Sequence, residues 1–282
     1  MADHRAASSP FDDDVSTEPT RYLGAAKDLL DRLESQAEGV SNVAALCADA
    51  IGGDGLVHLF GTGHSRMPVE EMFPRYGSYP GFHPIVELSM TFHTQVVGAN
   101  GQRQAMFIER VEGLAETILA NFELGPPDAM IVFSASGLTA VPIEIAMGAK
   151  ARGLPVVAVT SVSQSLAAEP THSTGTRLLD HADVVLDLCT PPGDAMIVLE
   201  GIATPVGPGS TIAAVALVNE IKVQTAALLL ERGALPPVLT SAALVGAEES
   251  QRLFDAAYAE HARRASRSLR GADGSPGSEP PR

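Results

Sequence analysis

Four short apolar runs constrain the fold of this chain more than any other feature. They lie at 56–60 (LVHLF), 130–133 (MIVF), 156–160 (VVAVT) and 184–188 (VVLDL). Runs apolar on both alternating faces belong to strands buried on both sides, as in parallel sheets covered by helices. Helical patterns separate them, at 65–76, 105–122, 141–152, a short one from 163, and a long one over 211–232. Two more precede the first strand. One covers 20–39, with Leu23, Ala26, Leu29, Leu30 and Leu33 at helical spacing, and one covers 42–51. Short strands alternating with helices predict βαβ units and an α/β fold around a mainly parallel sheet. No internal repeat is visible.

With 282 residues, 45% hydrophobic, the chain suits one sizeable domain. Residues 1–19 and 265–282 are rich in Ser, Pro, Gly and charge, and are expected to be flexible tails around a domain at 20–264. The net charge of −15 and the lack of a basic cluster argue against a nucleic-acid partner. That charge also repels an anionic substrate at long range, so a phosphate must be gripped locally by backbone N–H groups and hydroxyls. The longest apolar segment, 212–230, is interrupted by Asn219, Glu220 and Lys222, and reads as a buried helix rather than a membrane span. The N-terminus has no apolar core of the signal-peptide kind. Cys47 and Cys189 lie far apart, without metal-ligand spacing, among apolar neighbours. Two buried thiols fit a reducing cytoplasm.

A parallel sheet places its ligand beyond the carboxyl ends of the strands. The loops there are GTGHSR (61–66), SASGLT (134–139), TSVSQS (160–165) and CTPPGD (189–194). In the first, a dinucleotide fingerprint would need glycine where Arg66 stands. Gly61 and Gly63 still permit a tight turn close to a ligand, and Ser65 is placed to cap the next helix, whose first turn tolerates Pro68. The second loop carries Ser134, Ser136, Gly137 and Thr139 into a helix. Three hydroxyls in six residues exceed what capping needs and suit an anion at the positive end of a helix dipole. Thr160, Ser161 and Ser163 would extend this site from the third strand, although capping explains one of them.

Together, Gly61-Thr62-Gly63-His64-Ser65 and Ser134-Ala135-Ser136-Gly137-Leu138-Thr139 resemble the two hallmark loops of the SIS (sugar isomerase) domain family, which binds phosphorylated sugars. The resemblance covers about residues 20–232. It implies a three-layer, flavodoxin-like sandwich with a five-stranded mainly parallel sheet, extra N- and C-terminal helices, and a homodimer. The segments GTGHSRMPVEEMF, ERVEGLAETI, SASGLTAVPIE, HSTGTRLLDHADVVLD and PPGDA are similar to a bacterial SIS branch that includes N-acetylglucosamine-6-phosphate dehydratases. More distantly they resemble N-acetylmuramic acid 6-phosphate etherases. The implied reaction is loss of water across C2–C3 of an open-chain amino-sugar phosphate. Aldose–ketose isomerisation or deamination at the same site, or a non-enzymatic phosphosugar sensor, are the alternatives. No helix-turn-helix pattern precedes residue 20, which weighs against the sensor.

Removing the C2 proton and expelling the C3 hydroxyl requires groups tuned toward neutrality. Glu71 is one candidate, with Glu70 beside it and Arg75 at i+4 as a surface partner. The etherases carry a catalytic glutamate ten residues past the serine of the first loop; here that residue is Arg75. Glu109, Glu112 and Glu116 fall on one stripe of the expected helix at 105–122. Val111-Glu112-Gly113 resembles a segment near the etherases' second catalytic glutamate, which favours Glu112. His64, inside the glycine turn, and His172, in a polar loop, are candidates for orienting the sugar. His93 and His58 read as packing, and Lys150 as solvated, while Glu144, one turn into the helix after SASGLT, lines the expected pocket. No two histidines have zinc spacing and no carboxylate cluster suggests a metal, so neither metal nor cofactor is expected.

Overall fold

The computed structural model describes residues 21–91 and 101–269. His93 and nearly all of the two expected tails lie outside these residues. Two helices open the chain, α1 (Arg21–Glu34) and α2 (Ala37–Gly52). The helical pattern at 20–39 is therefore cut by a turn at Ser35 and Gln36. Gln36 is committed elsewhere: its amide brackets Asp187, donating to the carbonyl and accepting from the N–H, both at 2.7 Å.

Then follow β1 (Val57–Gly61), α3 (Met67–Met72), β2 (Phe82–Pro84), α4 (Leu88–Thr91), α5 (Gly101–Ile108), α6 (Leu114–Leu119), β3 (Ala129–Phe133), α7 (Ala140–Ala151), β4 (Val156–Thr160), α8 (Val162–Leu166) and β5 (Val184–Asp187). A hairpin of β6 (Ala195–Ile197) and β7 (Val206–Pro208) leads into α9 (Ser210–Glu231), α10 (Ala242–Val245) and α11 (Ala247–Ser268). The main sheet has the order β2-β1-β3-β4-β5, every pair parallel. This is the flavodoxin-like arrangement expected from the sequence.

Strand alternation builds two apolar layers. Val57, Leu59, Ile131, Phe133, Val157 and Val159 face α2 and α9. Phe60, Met130, Val132, Val156 and Ala158 face α6 and α7. β1, β3 and β4 are buried at every position, which is why they read as near-continuous apolar runs, with His58 and Thr160 as buried polar exceptions. The long α9 is the one helix among the described residues apolar and long enough to cross a membrane. It packs instead against α1, α2 and α3, and seats Lys222 and Thr225 in the interior.

Three further expectations differ. The helix at 105–122 is broken between α5 and α6, where Gly113 takes φ +87°, so Glu109, Glu112 and Glu116 do not share a helical stripe. The helix at 65–76 is a 3₁₀ turn over Gly63–Arg66 followed by the short α3; Arg66, not Ser65, stands at its N-terminus, and no side chain caps it. Finally, α11 runs to Ser268, so residues 265–268 are helical rather than part of the tail.

Candidate functional site

The sheet reverses its order between β1 and β3, and ligands in open α/β sheets bind at such a point. Gly61 pairs in register with Phe133, so the turns after the two strands start side by side. In the first, a Cβ on Gly61 would lie 2.2 Å from the Ser65 carbonyl oxygen, and Gly63 has φ +54°. Only glycine lets the backbone fold this tightly. In the second, Gly137 has φ +63°, and a Cβ there would press within 2.9 Å of the Thr160 hydroxyl. The Ser134 hydroxyl accepts from Gly137 N–H (3.2 Å) and that of Ser136 from Leu138 N–H (3.3 Å), which rounds the turn into α7. Thr139, at the N-terminus of α7, makes no capping bond with its side chain.

A narrow crevice runs between the turns, lined by His64, Ser65 and Pro68 from the first and Ser134 from the second. Its third wall is Ser210 and Thr211, at the start of α9. Asp194, from the PPGDA segment, secures that wall by accepting from the N–H and hydroxyl of Ser210 (2.7 and 2.6 Å). The sequence pattern gave no hint of Ser210 or Thr211, because only the fold returns α9 to this edge.

Two acidic groupings are bonded to the elements that carry the turns, and neither supplies a lining residue of the crevice itself. Glu109 joins both turns: the Thr62 hydroxyl donates to its carboxylate (2.7 Å), and its carbonyl accepts from Val141 N–H in the first turn of α7 (3.0 Å). The second grouping contains Glu112, Glu144 and His172. Gly113 N–H donates to both Glu144 oxygens (2.8 and 2.9 Å), Ser173 N–H donates to Glu112 (2.7 Å), and His172 Nε2 lies 3.4 Å from Glu144 Oε1. The hydrogen bond from Ser173 holds the Glu112 carboxyl below its ordinary pKa. Thr171 ties this loop to the second turn through the Leu138 carbonyl (2.8 Å).

Two expected site residues stand elsewhere. Ser161 is fully buried, caps α8 through Gln164 N–H, and donates to the Thr190 carbonyl (2.6 Å), so its hydroxyl is committed. Glu71 faces the seam between α3 and α9. There it accepts from Asn219 (2.9 Å) and Arg75 and lies 3.8 Å from the Lys222 ammonium. Burial raises the Glu71 pKa, but the bonds from Asn219 and Arg75 and the Lys222 charge outweigh it and leave a net lowering. Lys150 is paired with Asp183 at 2.7 Å on the surface. His58 is buried, as expected of packing.

Residues 21–161 match the SIS domain model. The chain belongs to the SIS domain family. It is 33% identical over 252 residues to the UPF0309 protein SCO4393 of Streptomyces coelicolor, covering 88% of this chain and 93% of that protein. It is 30% identical over 228 residues to the UPF0309 protein GK1441 of Geobacillus kaustophilus (81% and 88%). Phosphoheptose isomerase GmhA of Neisseria gonorrhoeae aligns at TM-score 0.45 and 15% identity, over 74% of this chain and 95% of that one. SIS domains are phosphosugar-binding modules, which agrees with the hydroxyl-bearing turns of this one.

Proposed function

We propose that this SIS domain is an N-acetylglucosamine-6-phosphate dehydratase. The observation that carries the reading is the meeting of two hydroxyl-bearing turns at the β1/β3 reversal, with carboxylates and an imidazole immediately beside them. Ser65, Ser134, Ser136 and Thr139, with Thr62, Gly61, Gly63 and Gly137 shaping the backbone, hold the phosphate. Neutral donors suit this chain, since its net charge of −15 supplies no long-range attraction. His64, exposed at the crevice mouth, orients the sugar.

The chemistry needs a base at C2 and positive charge at the C3 oxygen. Glu109, tied to both turns, takes the C2 proton of the open-chain aldehyde. The electron pair forms the C2–C3 double bond and the C3 hydroxyl departs as water, taking up a proton from His172, which lies against Glu144. Glu71 is assigned a structural part in the α3/α9 seam instead. The choice of elimination over isomerisation rests on the similarity of the chain to the dehydratase branch, since both reactions begin with loss of the same proton.

Incubation with N-acetylglucosamine 6-phosphate tests the reading. The expected product absorbs in the ultraviolet as a conjugated enal and has lost the mass of one water. A ketose, or ammonia from glucosamine 6-phosphate, would point to isomerase or deaminase; saturable binding without turnover would point to a sensor. The reading also places the enzyme in the cytoplasm as a homodimer. Cys47 and Cys189 are free; Cys47 is buried, which pushes its thiol up to about 12, whereas Cys189 is only half-buried, so one of the two expected buried thiols is not.

A further inference from the structure

Glu112 from the loop between α5 and α6, Glu144 from the second turn of α7, and His172 from the loop after α8 converge from three separate parts of the chain. Each offers one ligand atom, and the three atoms lie within 4.8 Å of one another. His172 is buried, with 7% of its surface exposed. The backbone N–H groups of Gly113 and Ser173 fix both carboxylates but bring no full positive charge. The other ring nitrogen of His172 opens a chain of contacts, each 2.7 Å long: Nδ1 to Thr174 Oγ1, on to Thr176 Oγ1, and on to His181 Nε2. Every link has one donor and one acceptor in either direction, and run from Nδ1–H toward His181 the chain frees Nε2. That direction leaves Nε2 of His172 as a bare lone pair facing two carboxylates. Three electron-pair donors set together repel unless a cation lies among them. A histidine whose second nitrogen donates to an oxygen is also the usual outer arrangement of a metal ligand.

We propose that Glu112, Glu144 and His172 hold a divalent cation. One nitrogen and two oxygen ligands suit Zn²⁺ or Mn²⁺ better than Ca²⁺ or Mg²⁺. This deepens the dehydratase reading, on which its role rests: the positive charge at the departing C3 oxygen comes from a cation rather than from a His172 proton. The opposite tautomer of His172, with Nδ1 accepting from Thr174 N–H at 3.2 Å, carries the proton on Nε2 and is the competing arrangement.

Calorimetric titration of the tag-free, chelator-stripped full chain with Zn²⁺ decides between them. One saturable site per chain is expected. Glu112→Gln, Glu144→Gln and His172→Gln should each weaken it at least 10-fold, whereas Glu248→Gln, on exposed α11, should not. Thermal melts by circular dichroism verify that each variant is folded, and broadening of the Mn²⁺ paramagnetic resonance signal provides a second readout. No saturable binding, or binding that survives all three substitutions, overturns the proposal. Full-rate dehydration by stripped protein that binds no Zn²⁺ sinks the cation and keeps the reaction. Stoichiometric Zn²⁺ binding without turnover of any hexosamine phosphate keeps the cation and sinks the reaction.

Discussion

Gly61 and Glu109 are the residues on which the site most depends. Any side chain at position 61 meets the Ser65 carbonyl at 2.2 Å, and backbone cannot swing aside as a side-chain tip can. Gly61→Ala is therefore expected to cost about 3 kcal/mol in urea denaturation, the upper end of the range for overpacking, and to weaken phosphosugar binding. Glu109→Gln keeps the hydrogen bond from Thr62 but removes the base of the proposed elimination. The expected result is a fall in kcat of roughly 10²–10⁴-fold, with KM nearly unchanged. A large rise in KM with kcat preserved would make Glu109 a binding residue instead. For Glu71 the expected loss is of stability: Glu71→Gln leaves the buried Lys222 without its carboxylate and should cost about 2 kcal/mol by denaturant titration, below the range for fully buried pairs because Glu71 is partly exposed.

Among the elements, α11 shows how the C-terminal part of the chain is held. Asp54, at the turn before β1, pairs with Arg263 and with Arg267 (2.6 Å to the latter), and these hold its carboxyl well below the ordinary range. Buried Arg264 donates to the carbonyls of Ile51 and Gly55 (2.9 and 2.8 Å). Beside this clasp lies a histidine cluster. Asp128 bonds His58 (3.2 Å), His58 bonds His83 (3.1 Å), and the ring of His261 on α11 lies 6.1 Å from that of His83. Burial, then the neighbouring His58 and His261, lower the His83 pKa to about 4, against a partial opposing effect of Asp128. Burial lowers that of His261 as well. For His83, the unfolded chain binds more protons than the folded one between pH 6.5 and pH 4, so stability must fall as pH drops through that window. A ceiling of about 3 kcal/mol follows from the shift. Denaturant midpoints measured between pH 7 and pH 4 should show the fall, and His83→Gln should flatten it. An unchanged slope in that variant would move the effect to other groups.

The whole molecule presents apolar surface that a single chain does not cover. α9 is apolar around most of its circumference, a pattern that belongs to a buried helix. Yet Val223 and Leu230, seven residues apart on one face, are 65% and 68% exposed, and Leu23 on neighbouring α1 is 66% exposed. The expected outcome by light scattering is a particle of twice the chain mass, reduced to one chain by Val223→Asp with Leu230→Asp. A wild-type monomer at micromolar concentration would refute the homodimer.

Local pattern determined much of this protein. The runs at 130–133 and 156–160 came out nearly as read because strands buried on both faces leave no ambiguity in their residues, and the helix at 211–232 did so because it is apolar along its length. The two turns were legible for a related reason, as glycines and hydroxyls at strand ends have few other uses. Short or half-exposed elements were not legible. Three-residue β2 carries no periodicity, and the break at Gly113 depends on a left-handed φ that glycine permits but does not dictate. Tertiary structure alone decided which acids meet the turns. It drew Glu71 into an ion pair with Lys222, set Glu109 against Thr62, and gathered Glu112, Glu144 and His172 although 60 positions separate the first from the last. Sequence spacing governs neighbours along one element; the parallel sheet, by returning each crossover to the same edge, chose the rest.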